Sequence, residues 1–478
     1  MVRTKFAAVL IGLYGVGVLS SFTAIQGIAG AAASLGIQSS AVRDIAALVA
    51  KNDLEEVARA IKSVRRVSCL TGCFGMVIVA IMSSTVSLWT FGSTKYQWDI
   101  CALGIVILLS NLQGGQMVVL QSMRRIKDLA IMQLCGSLVG TLITIGCYFW
   151  LGVRGIVPAL VVTGGFQLLI SWWIAKKIEL PIVRIGWMES LCLVGGMLNL
   201  GLAIMGSGLL GSVVTYATNV IILQEIGLSA LGIYAAAFTL SGILINFILN
   251  SMAVDYYPRL SEVANDCLAM NRLVNEQTEI NLLLGVPGLI FTIALASFAI
   301  NIFYTLEFSS AANLLQWFSL GCLGRLISWP LGFVMLALGK GKLFLITEAC
   351  AHSLNLLLIY FGITLYGLEG ASIVFFILYL AYTVIVFLIA KNLTNFSWTI
   401  SSKYLLTSSS ILLIITFCAA RLLPTPIGLA FNFLLAIVGF AISIRGLLKR
   451  LGRTHRISKI LLAIPGVYWL KAFNFKHL

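Results

Sequence analysis

The sequence predicts an all-α, polytopic membrane protein with about thirteen transmembrane helices arranged in two pseudo-symmetric helical lobes. Hydrophobic residues make up 60% of the 478-residue chain and charged residues only 10%, and the mean hydropathy is +1.01. A soluble domain carries roughly 25% charged residues, so this composition indicates an integral membrane protein. The apolar runs are about 20 residues long, which is typical of membrane-spanning helices, whereas strands of a membrane β-barrel alternate over about 10 residues.

An internal repeat predicts the two lobes. Each copy begins with a Gly-x-Tyr, followed by an apolar segment and then by a polar amphipathic segment. Two further matches follow in the same order, always about 215 to 220 residues apart. The matching segments are Gly12-Leu13-Tyr14 with Gly232-Ile233-Tyr234, Arg124-Arg125-Ile126-Lys127 with Gly339-Lys340-Gly341-Lys342, and Gly152-Val153-Arg154-Gly155 with Gly367-Leu368-Glu369-Gly370. Three ordered matches predict two homologous halves, as in transporters built from repeated bundles.

Thirteen apolar spans account for most of the chain. They cover residues 9–35, 69–92, 100–121, 129–151, 156–175, 195–223, 229–252, 281–305, 312–338, 343–366, 371–390, 405–423 and 427–444. The repeat groups them into an N-terminal lobe over 1–190, a C-terminal lobe over 191–404 and two peripheral transmembrane helices over 405–445. Residues 446–478 mix basic and apolar residues and are predicted to form an amphipathic cytoplasmic tail on the membrane surface.

The basic residues predict the topology. Of the 32 Lys and Arg, 26 lie in alternate connections, whereas the opposite connections hold only Lys95 and Arg154. The basic connections are 37–68, 122–128, 176–190, 253–280, 339–342, 391–404 and 445–478. Because cytoplasmic connections are enriched in Lys and Arg, the C-terminus is predicted to be cytoplasmic. The net charge of +15 therefore mainly reflects the basic cytoplasmic connections, and we expect no nucleic-acid partner. Membrane lipids are the expected partners of the basic tail.

The start of the chain conflicts with this topology. Thirteen spans with a cytoplasmic C-terminus would place the N-terminus outside, yet Arg3 and Lys5 are basic. The second half begins with the span 195–223, whereas only eleven residues precede Gly12. We therefore expect a fourteen-helix design that lacks its first helix, through a misplaced start codon or a true truncation. A cleaved signal peptide is disfavoured, because the apolar run is longer than the 7–15 residues of a signal sequence and belongs to the repeat.

The sequence offers little for catalysis. It contains no G-x-x-x-x-G-K-[ST] phosphate loop, no C-x-x-C and only three histidines, and its ten cysteines lie almost entirely in apolar segments. The outer connections hold no more than about ten residues, too few for an outer catalytic domain. We expect no enzyme activity, no cofactor and no metal site.

Ionisable groups inside the spans are the candidate site residues, because each costs about 2.5–3.5 kcal/mol to insert. Arg325 lies near the middle of its span, and Glu348 and His352 share one helix face at i, i+4. Two interpretations of Arg325 are open. With Arg3, Lys5 and His352 it lines a hydrated cationic cavity that binds an anionic substrate, or it forms a structural ion pair with Glu348. Glu348 is the candidate coupling residue.

Other polar groups inside the spans are weaker candidates. Arg421 lies near the outer end of its span, where snorkelling to water is a sufficient explanation. Uncharged amides favour either interhelical hydrogen bonds or a wet interior. They are Gln26, Asn111, Gln113, Gln116, Gln133, Gln167, Asn199, Asn219, Asn246, Asn250 and Asn355.

The segment Leu35-Gly36-Ile37-Gln38-Ser39-Ser40-Ala41-Val42-Arg43-Asp44-Ile45-Ala46, after Gly12-x-Tyr14-Gly15-Val16-Gly17, resembles the start of the polysaccharide-biosynthesis flippases. These O-antigen translocases of the Wzx type belong to the superfamily of multidrug/oligosaccharidyl-lipid/polysaccharide exporters, with twelve helices in two MATE-like lobes plus two peripheral helices. The resemblance implies an ion-coupled flippase of the bacterial inner membrane that moves an undecaprenyl-pyrophosphate-linked oligosaccharide, such as an O-antigen unit of lipopolysaccharide, through a cationic central cavity. It further implies a polysaccharide polymerase and chain-length machinery as partners.

Three alternatives accompany this hypothesis. A cation-coupled multidrug exporter of the same superfamily would favour an acidic cavity, but the first-lobe spans contain no convincing buried Asp or Glu. A polymerase or ligase of lipid-linked glycans would need a long outer loop. A non-transporting scaffold of a biosynthetic complex is the remaining possibility.

Overall fold

In the computed structural model, residues 2–51, 53–178, 180–423 and 425–451 are described, and they form fourteen α-helices. The helices are α1 (Val2–Ser34), α2 (Ile37–Ala50), α3 (Leu54–Phe91), α4 (Gln97–Ser122), α5 (Ile126–Leu151), α6 (Ile156–Ala175), α7 (Trp187–Glu225), α8 (Leu228–Glu262), α9 (Cys267–Ala294), α10 (Ala296–Phe303), α11 (Ala311–Ala337), α12 (Gly341–Thr394), α13 (Ile400–Leu422) and α14 (Thr425–Leu451). Short 3-10 turns cover Thr94–Tyr96, Gly152–Gly155 and Leu306–Phe308. Residues 452–478 of the predicted amphipathic tail lie outside the described residues.

Each of the thirteen predicted spans coincides with helix to within a few residues, which confirms the all-α membrane fold. Among the described residues, ten helical stretches are long and apolar enough to cross a bilayer. Two of them, Ile126–Ala175 and Gly341–Thr394, each contain two predicted spans joined by a tight turn. Gly152 and Gly367 provide these turns, with φ values of 56° and 59° that a residue without a side chain adopts readily.

The chain forms two compact units. Unit 1 comprises Met1–Ala235 with Phe303–Glu307, and unit 2 comprises Ala236–Ile302 with Phe308–Leu478. In unit 1, fully buried Ile45, Val57 and Val64 belong to the core formed by α2, α3 and α4. In unit 2, α9 packs against α11, α13 and α14. These units describe packing alone, so the sequence-based division into lobes, peripheral helices and tail stays a prediction.

The repeat is also present in the backbone geometry of the turns. After α4, the Arg125 amide donates to the Leu120 carbonyl at 2.9 Å, and after α11 the Lys340 amide donates to the Met335 carbonyl at 2.8 Å. Both donors and both acceptors are 215 residues apart (340 − 125 and 335 − 120). Gly152 and Gly367 are separated by the same interval (367 − 152). The predicted duplication is thus matched hydrogen bond by hydrogen bond in this part of the chain.

Equivalent aspartates begin equivalent helices. The Asp53 carboxylate accepts a hydrogen bond from the Glu56 amide at 3.1 Å at the start of α3. The Asp266 carboxylate accepts from the Leu268 and Ala269 amides at 2.9 and 3.0 Å at the start of α9. In both cases the carboxylate satisfies amides that have no partner within the first helical turn.

The Gly-x-Tyr match in the sequence pairs Gly12 with Gly232, but the residue that corresponds to Gly12 in the structure lies five positions earlier. Helix α1 breaks at Gly12, where φ is 64°, and Gly12 lies 215 residues before Gly227 (227 − 12), which has a φ of 118° between α7 and α8. The structure therefore pairs Gly12 with Gly227 rather than with Gly232. In the first copy of the repeat, residues 2–11 therefore correspond to the end of α7 in the second copy.

The family-like motif forms a sharp corner between α1 and α2. Gly36 has a φ of 65°, and any Cβ there would overlap the carbonyl oxygen of Gly201 in α7. The Gln38 side chain lies directly on Gly114 of α4. Small residues allow this close approach. In a membrane, an apolar side chain gains nothing by leaving lipid tails that are equally apolar, so close packing of the helices drives their association. The motif thus joins three helices of unit 1.

Candidate functional site

Glu348, Tyr382 and His352 form an ionisable cluster within α12. The Tyr382 hydroxyl donates a hydrogen bond to Glu348 Oε1, across the Gly367 turn. His352 Nε2 lies 3.6 Å from Glu348 Oε2, one helical turn away, so the two attract each other when His352 is protonated. The side chains of His352 and Glu348 are 30% and 25% exposed. The structure thus brings the two predicted residues together and adds Tyr382.

Arg325 is a half-buried cation in the middle of α11. Among the described residues its guanidinium forms no ion pair and no side-chain hydrogen bond. The structural ion pair with Glu348, one of the two interpretations from the sequence, is therefore not present. Instead, Arg325 and Glu348 both act electrostatically on the hydroxyl of Tyr379, whose ring lies 6.3 Å from that of Tyr382.

Arg3 and Lys5 contact protein groups in unit 1. The Lys5 ammonium donates to the backbone carbonyl of Tyr304. Arg3 lies beside the buried Tyr148 hydroxyl, which has no hydrogen-bond partner of standard geometry in the described part of the chain. The structure places these two residues in unit 1 and Arg325, Glu348 and His352 in unit 2. A shared cationic cavity stays a prediction.

Arg421 does more than snorkel to water. Its guanidinium lies 3.5 Å from the Glu369 carboxylate and 4.9 Å from the centre of the Phe417 ring. It also stacks over Trp317 of α11 at 5.2 Å and donates to the Gln316 side chain at 3.4 Å. The interpretation from the sequence was therefore incomplete, because Arg421 joins α13 to α11 and to the turn in α12.

A buried polar ladder along α9 was not predicted from the sequence. The Asn271 amide donates to the Thr394 carbonyl at 2.9 Å, and the Asn275 amide to the Ser397 carbonyl at 3.1 Å. One turn further, the Glu279 carboxylate, only 3% exposed, accepts from the Ser402 hydroxyl at 2.6 Å. The spacing of four between 271, 275 and 279 could have revealed this polar face. It fixes the connection between α12 and α13.

The first repeat fixes its own connection with different chemistry. From α3, the Lys62 ammonium donates to the Val183 carbonyl at 2.6 Å, and Arg66 donates to the Ile185 carbonyl at 2.9 Å. Arg66 also stacks over Trp187 at 4.7 Å. Lys62 and Arg66 lie 213 residues before Asn275 and Glu279 (275 − 62 and 279 − 66), the same interval that separates Asp53 from Asp266. Equivalent positions thus hold equivalent connections in both repeats.

No group of three or more His, Cys, Asp or Glu residues within the described ranges is arranged to hold a metal ion. The ten cysteines are free thiols.

Comparison with solved structures shows the same fold in several transporters. A multidrug resistance MATE family transporter of the MOP superfamily, in an inward-facing conformation, has a TM-score of 0.60 at 15% identity, over 85% of this chain and 96% of that one. The lipid II flippase MurJ has a TM-score of 0.58 at 14% identity, over 91% and 97%. A MOP superfamily transporter from Pyrococcus furiosus has a TM-score of 0.57 at 15% identity, over 82% and 93%. At these identities the similarity establishes the fold alone.

No curated protein sequence matches this chain. The family described as "Polysaccharide biosynthesis protein" matches residues 10–313, which is more than half of the chain. This range includes the predicted motif after Leu35 and most of the first repeat. The chain therefore belongs to the polysaccharide biosynthesis protein family, as its motif predicted.

Proposed function

We propose that this protein is a flippase that moves an undecaprenyl-pyrophosphate-linked oligosaccharide across the bacterial inner membrane by alternating access. The observation that carries the proposal is the guanidinium of Arg325, which lies in the middle of a predicted transmembrane helix and forms no ion pair among the described residues. A charge inside a span is costly to insert, so a guanidinium that has no counter-ion in the described part of the chain supports a role in binding an anion. Membership of the polysaccharide biosynthesis family supports a glycan as the rest of that substrate.

The substrate chemistry fits this arrangement. A pyrophosphate carries negative charge and several acceptor oxygens, and arginine binds such groups through a planar fork of donors. The lipid tail of the substrate would remain in the bilayer while the polar head follows a hydrated path. In this proposal Arg325 binds the pyrophosphate, with Arg3, Lys5 and His352 as the further cationic groups of the path.

The same proposal assigns ion coupling to Glu348. An ionised Glu348 accepts the hydrogen bond of Tyr382 and attracts a protonated His352. Protonation of Glu348 removes its charge and both of these electrostatic interactions. In this proposal Tyr379, which lies near both Arg325 and Glu348, connects the coupling residue to the anion site. This link would couple a proton gradient to substrate release.

We further infer that the basic connections and the C-terminus face the cytoplasm, and that the protein works beside a polysaccharide polymerase and chain-length machinery. Alkaline phosphatase fused after residue 423 should be active, whereas a fusion after residue 395 should be inactive. The reverse pattern would contradict the proposed orientation.

The test of the flippase function measures translocation of a fluorescent undecaprenyl-pyrophosphate oligosaccharide in proteoliposomes. Arg325→Ala should reduce the rate at least tenfold, and Arg325→Lys should retain part of it because the charge remains. Arg124→Ala, in the exposed turn after α4, provides the matched control and should leave the rate unchanged. Full activity of Arg325→Ala would remove Arg325 from the proposal.

The multidrug exporter makes an opposite prediction in the same vesicles. A cationic drug would be taken up in exchange for protons, and the lipid-linked glycan would stay in its original leaflet. If the wild type takes up the drug and does not translocate the glycan, the multidrug exporter hypothesis is correct and the flippase hypothesis is wrong.

A further inference from the structure

A cavity of about 270 Å³ lies between α4, α5 and α6 in unit 1. Each of these helices contributes one glutamine to its wall: Gln113, Gln133 and Gln167. The other lining residues are Ser137, Gly136, Met117 and Met132, so all seven are uncharged. The cavity is therefore a polar recess on an otherwise apolar group of helices, with Gln133 and Ser137 at its exposed rim.

The three amides are available to a ligand. Within the described residues, none of the side chains of Gln113, Gln133 and Gln167 forms a hydrogen bond to the protein. Gln113 and Gln167 are half-buried and Gln133 is exposed, so their amides are accessible to a ligand that enters the cavity. Each amide both donates and accepts hydrogen bonds, as sugar hydroxyls do.

The repeat relates this cavity to the Glu348 cluster. Gln133, Ser137 and Gln167 lie 215 residues before Glu348, His352 and Tyr382 (348 − 133, 352 − 137 and 382 − 167). The turns at both ends of this region keep the same interval, so these positions are structurally equivalent. In the second repeat, the equivalent side chains contact one another directly. The duplication thus contains two versions of one polar site, of which the first lacks every ionisable group.

We propose that the Gln113–Gln133–Gln167 cavity binds a single neutral sugar residue of the glycan, while the equivalent site in the second repeat carries the proton. Neutral amides match uncharged hydroxyls without favouring an ion, and the two methionines offer an apolar surface to the C–H face of a sugar ring. The volume lies below the roughly 300–1,000 Å³ of sites for drug-sized ligands, which suits one sugar residue rather than a whole oligosaccharide.

The depth of the cavity fits loading from the cytoplasmic side. Gln113 is nine residues before the end of α4, Gln133 seven residues after the start of α5, and Gln167 eight residues before the end of α6. At 1.5 Å per residue these are about 10–14 Å from the basic ends of the helices. In a hydrocarbon core of about 30 Å, the three amides lie in the half that the topology assigns to the cytoplasm.

The inference rests on the proposed function for the identity of its ligand, but its test measures binding without translocation. The full-length protein in lipid nanodiscs is mixed with the methyl glycosides of glucose, galactose and N-acetylglucosamine, and saturation-transfer NMR reports contact. Nanodiscs avoid maltoside detergents, which would compete. At least one of these sugars should receive saturation from the wild-type protein, and Gln133→Met and Gln167→Met should each reduce this transfer at least fivefold.

Methionine preserves the length of glutamine and removes only the amide, so the variants should fold. Gln121→Met, at the exposed end of the same α4, provides the control and should retain full transfer. Absence of transfer from the wild-type protein to all three sugars, or undiminished transfer in the double variant Gln133→Met/Gln167→Met, would overturn the assignment.

The two proposals fail in different ways. Sugar contact that depends on the glutamines, with no glycan translocation by the wild type, would refute the flippase and leave the sugar site standing. Normal translocation together with unchanged sugar contact in the double variant would refute only the sugar site.

Discussion

Gly17 of α1 and Gly232 of α8 pack against each other's helices at equivalent positions of the repeat. A Cβ on Gly17 would overlap the carbonyl oxygen of Leu228, and a Cβ on Gly232 would overlap the carbonyl oxygen of Leu13. Both glycines and both leucines are 215 residues apart (232 − 17 and 228 − 13), so the contact is symmetric. Within unit 1, two helices from different copies of the repeat therefore meet backbone to backbone.

This contact predicts that Gly17→Ala and Gly232→Ala each destabilise the protein. The neighbouring atoms are backbone carbonyls, which cannot rotate away, and overpacking typically costs about 1–3 kcal/mol. The measurement is thermal unfolding of the purified protein in detergent. Gly30→Ala, on the same α1 with no atom within 4 Å of the added Cβ, is the control. A melting temperature for Gly17→Ala equal to that of Gly30→Ala would show that the two helices separate freely.

Glu348→Gln should uncouple transport from the proton gradient. Glutamine keeps the size of the side chain and still accepts the Tyr382 hydrogen bond, but it cannot titrate. Glycan translocation driven by an imposed pH gradient should fall at least tenfold in proteoliposomes, whereas exchange without a gradient should persist. Glu369→Gln, at the outer turn of the same α12, should leave the gradient-driven rate intact. Gradient-driven transport by Glu348→Gln at the wild-type rate would exclude Glu348 as the coupling group.

Glu279→Leu should destabilise unit 2 more than Glu279→Gln. The carboxylate is buried and accepts hydrogen bonds from Ser402 at 2.6 Å and Thr399 at 3.3 Å. Glutamine retains an acceptor oxygen, whereas leucine leaves buried hydroxyls unsatisfied, at about 1–3 kcal/mol. Thermal unfolding of the two variants measures the difference. Equal melting temperatures would mean that the ladder along α9 contributes nothing through hydrogen bonding.

Arg66→Ala should loosen the connection between α6 and α7. Arg66 donates to the Ile185 carbonyl and to the Ser190 hydroxyl at 3.1 Å, and its loss releases a segment that contains Arg184. In inverted membrane vesicles, trypsin should then cleave after Arg184 several-fold faster than in the wild type. Arg43→Ala removes an exposed arginine that pairs only with its neighbour Asp44, and should leave cleavage unchanged. Unchanged cleavage in Arg66→Ala would contradict the clamp.

Much of this architecture could be predicted from the sequence, because a bilayer restricts the choices of the chain. Every backbone polar group in hydrocarbon must be satisfied internally, so long apolar runs form helices and their number follows from their spacing. The duplication was visible at the turns, since Gly152 and Gly367 adopt a conformation that other residues rarely adopt. The Gly-x-Tyr match aligned the two halves five residues out of register, because a short motif reflects residue type and does not show where the backbone breaks at Gly12.

Only the tertiary structure decided which polar groups meet. Sequence spacing placed Glu348 and His352 on one helix face, but their contact with Tyr382, 34 residues away from Glu348, depends on how the two halves of α12 fold back at Gly367. The same holds for the glutamines of the first repeat, which come from three helices. Each transmembrane span is determined by its own sequence, because its transfer into lipid depends on its own hydrophobicity. A site depends on which helices pack together, and lipid provides no hydrophobic driving force for that packing.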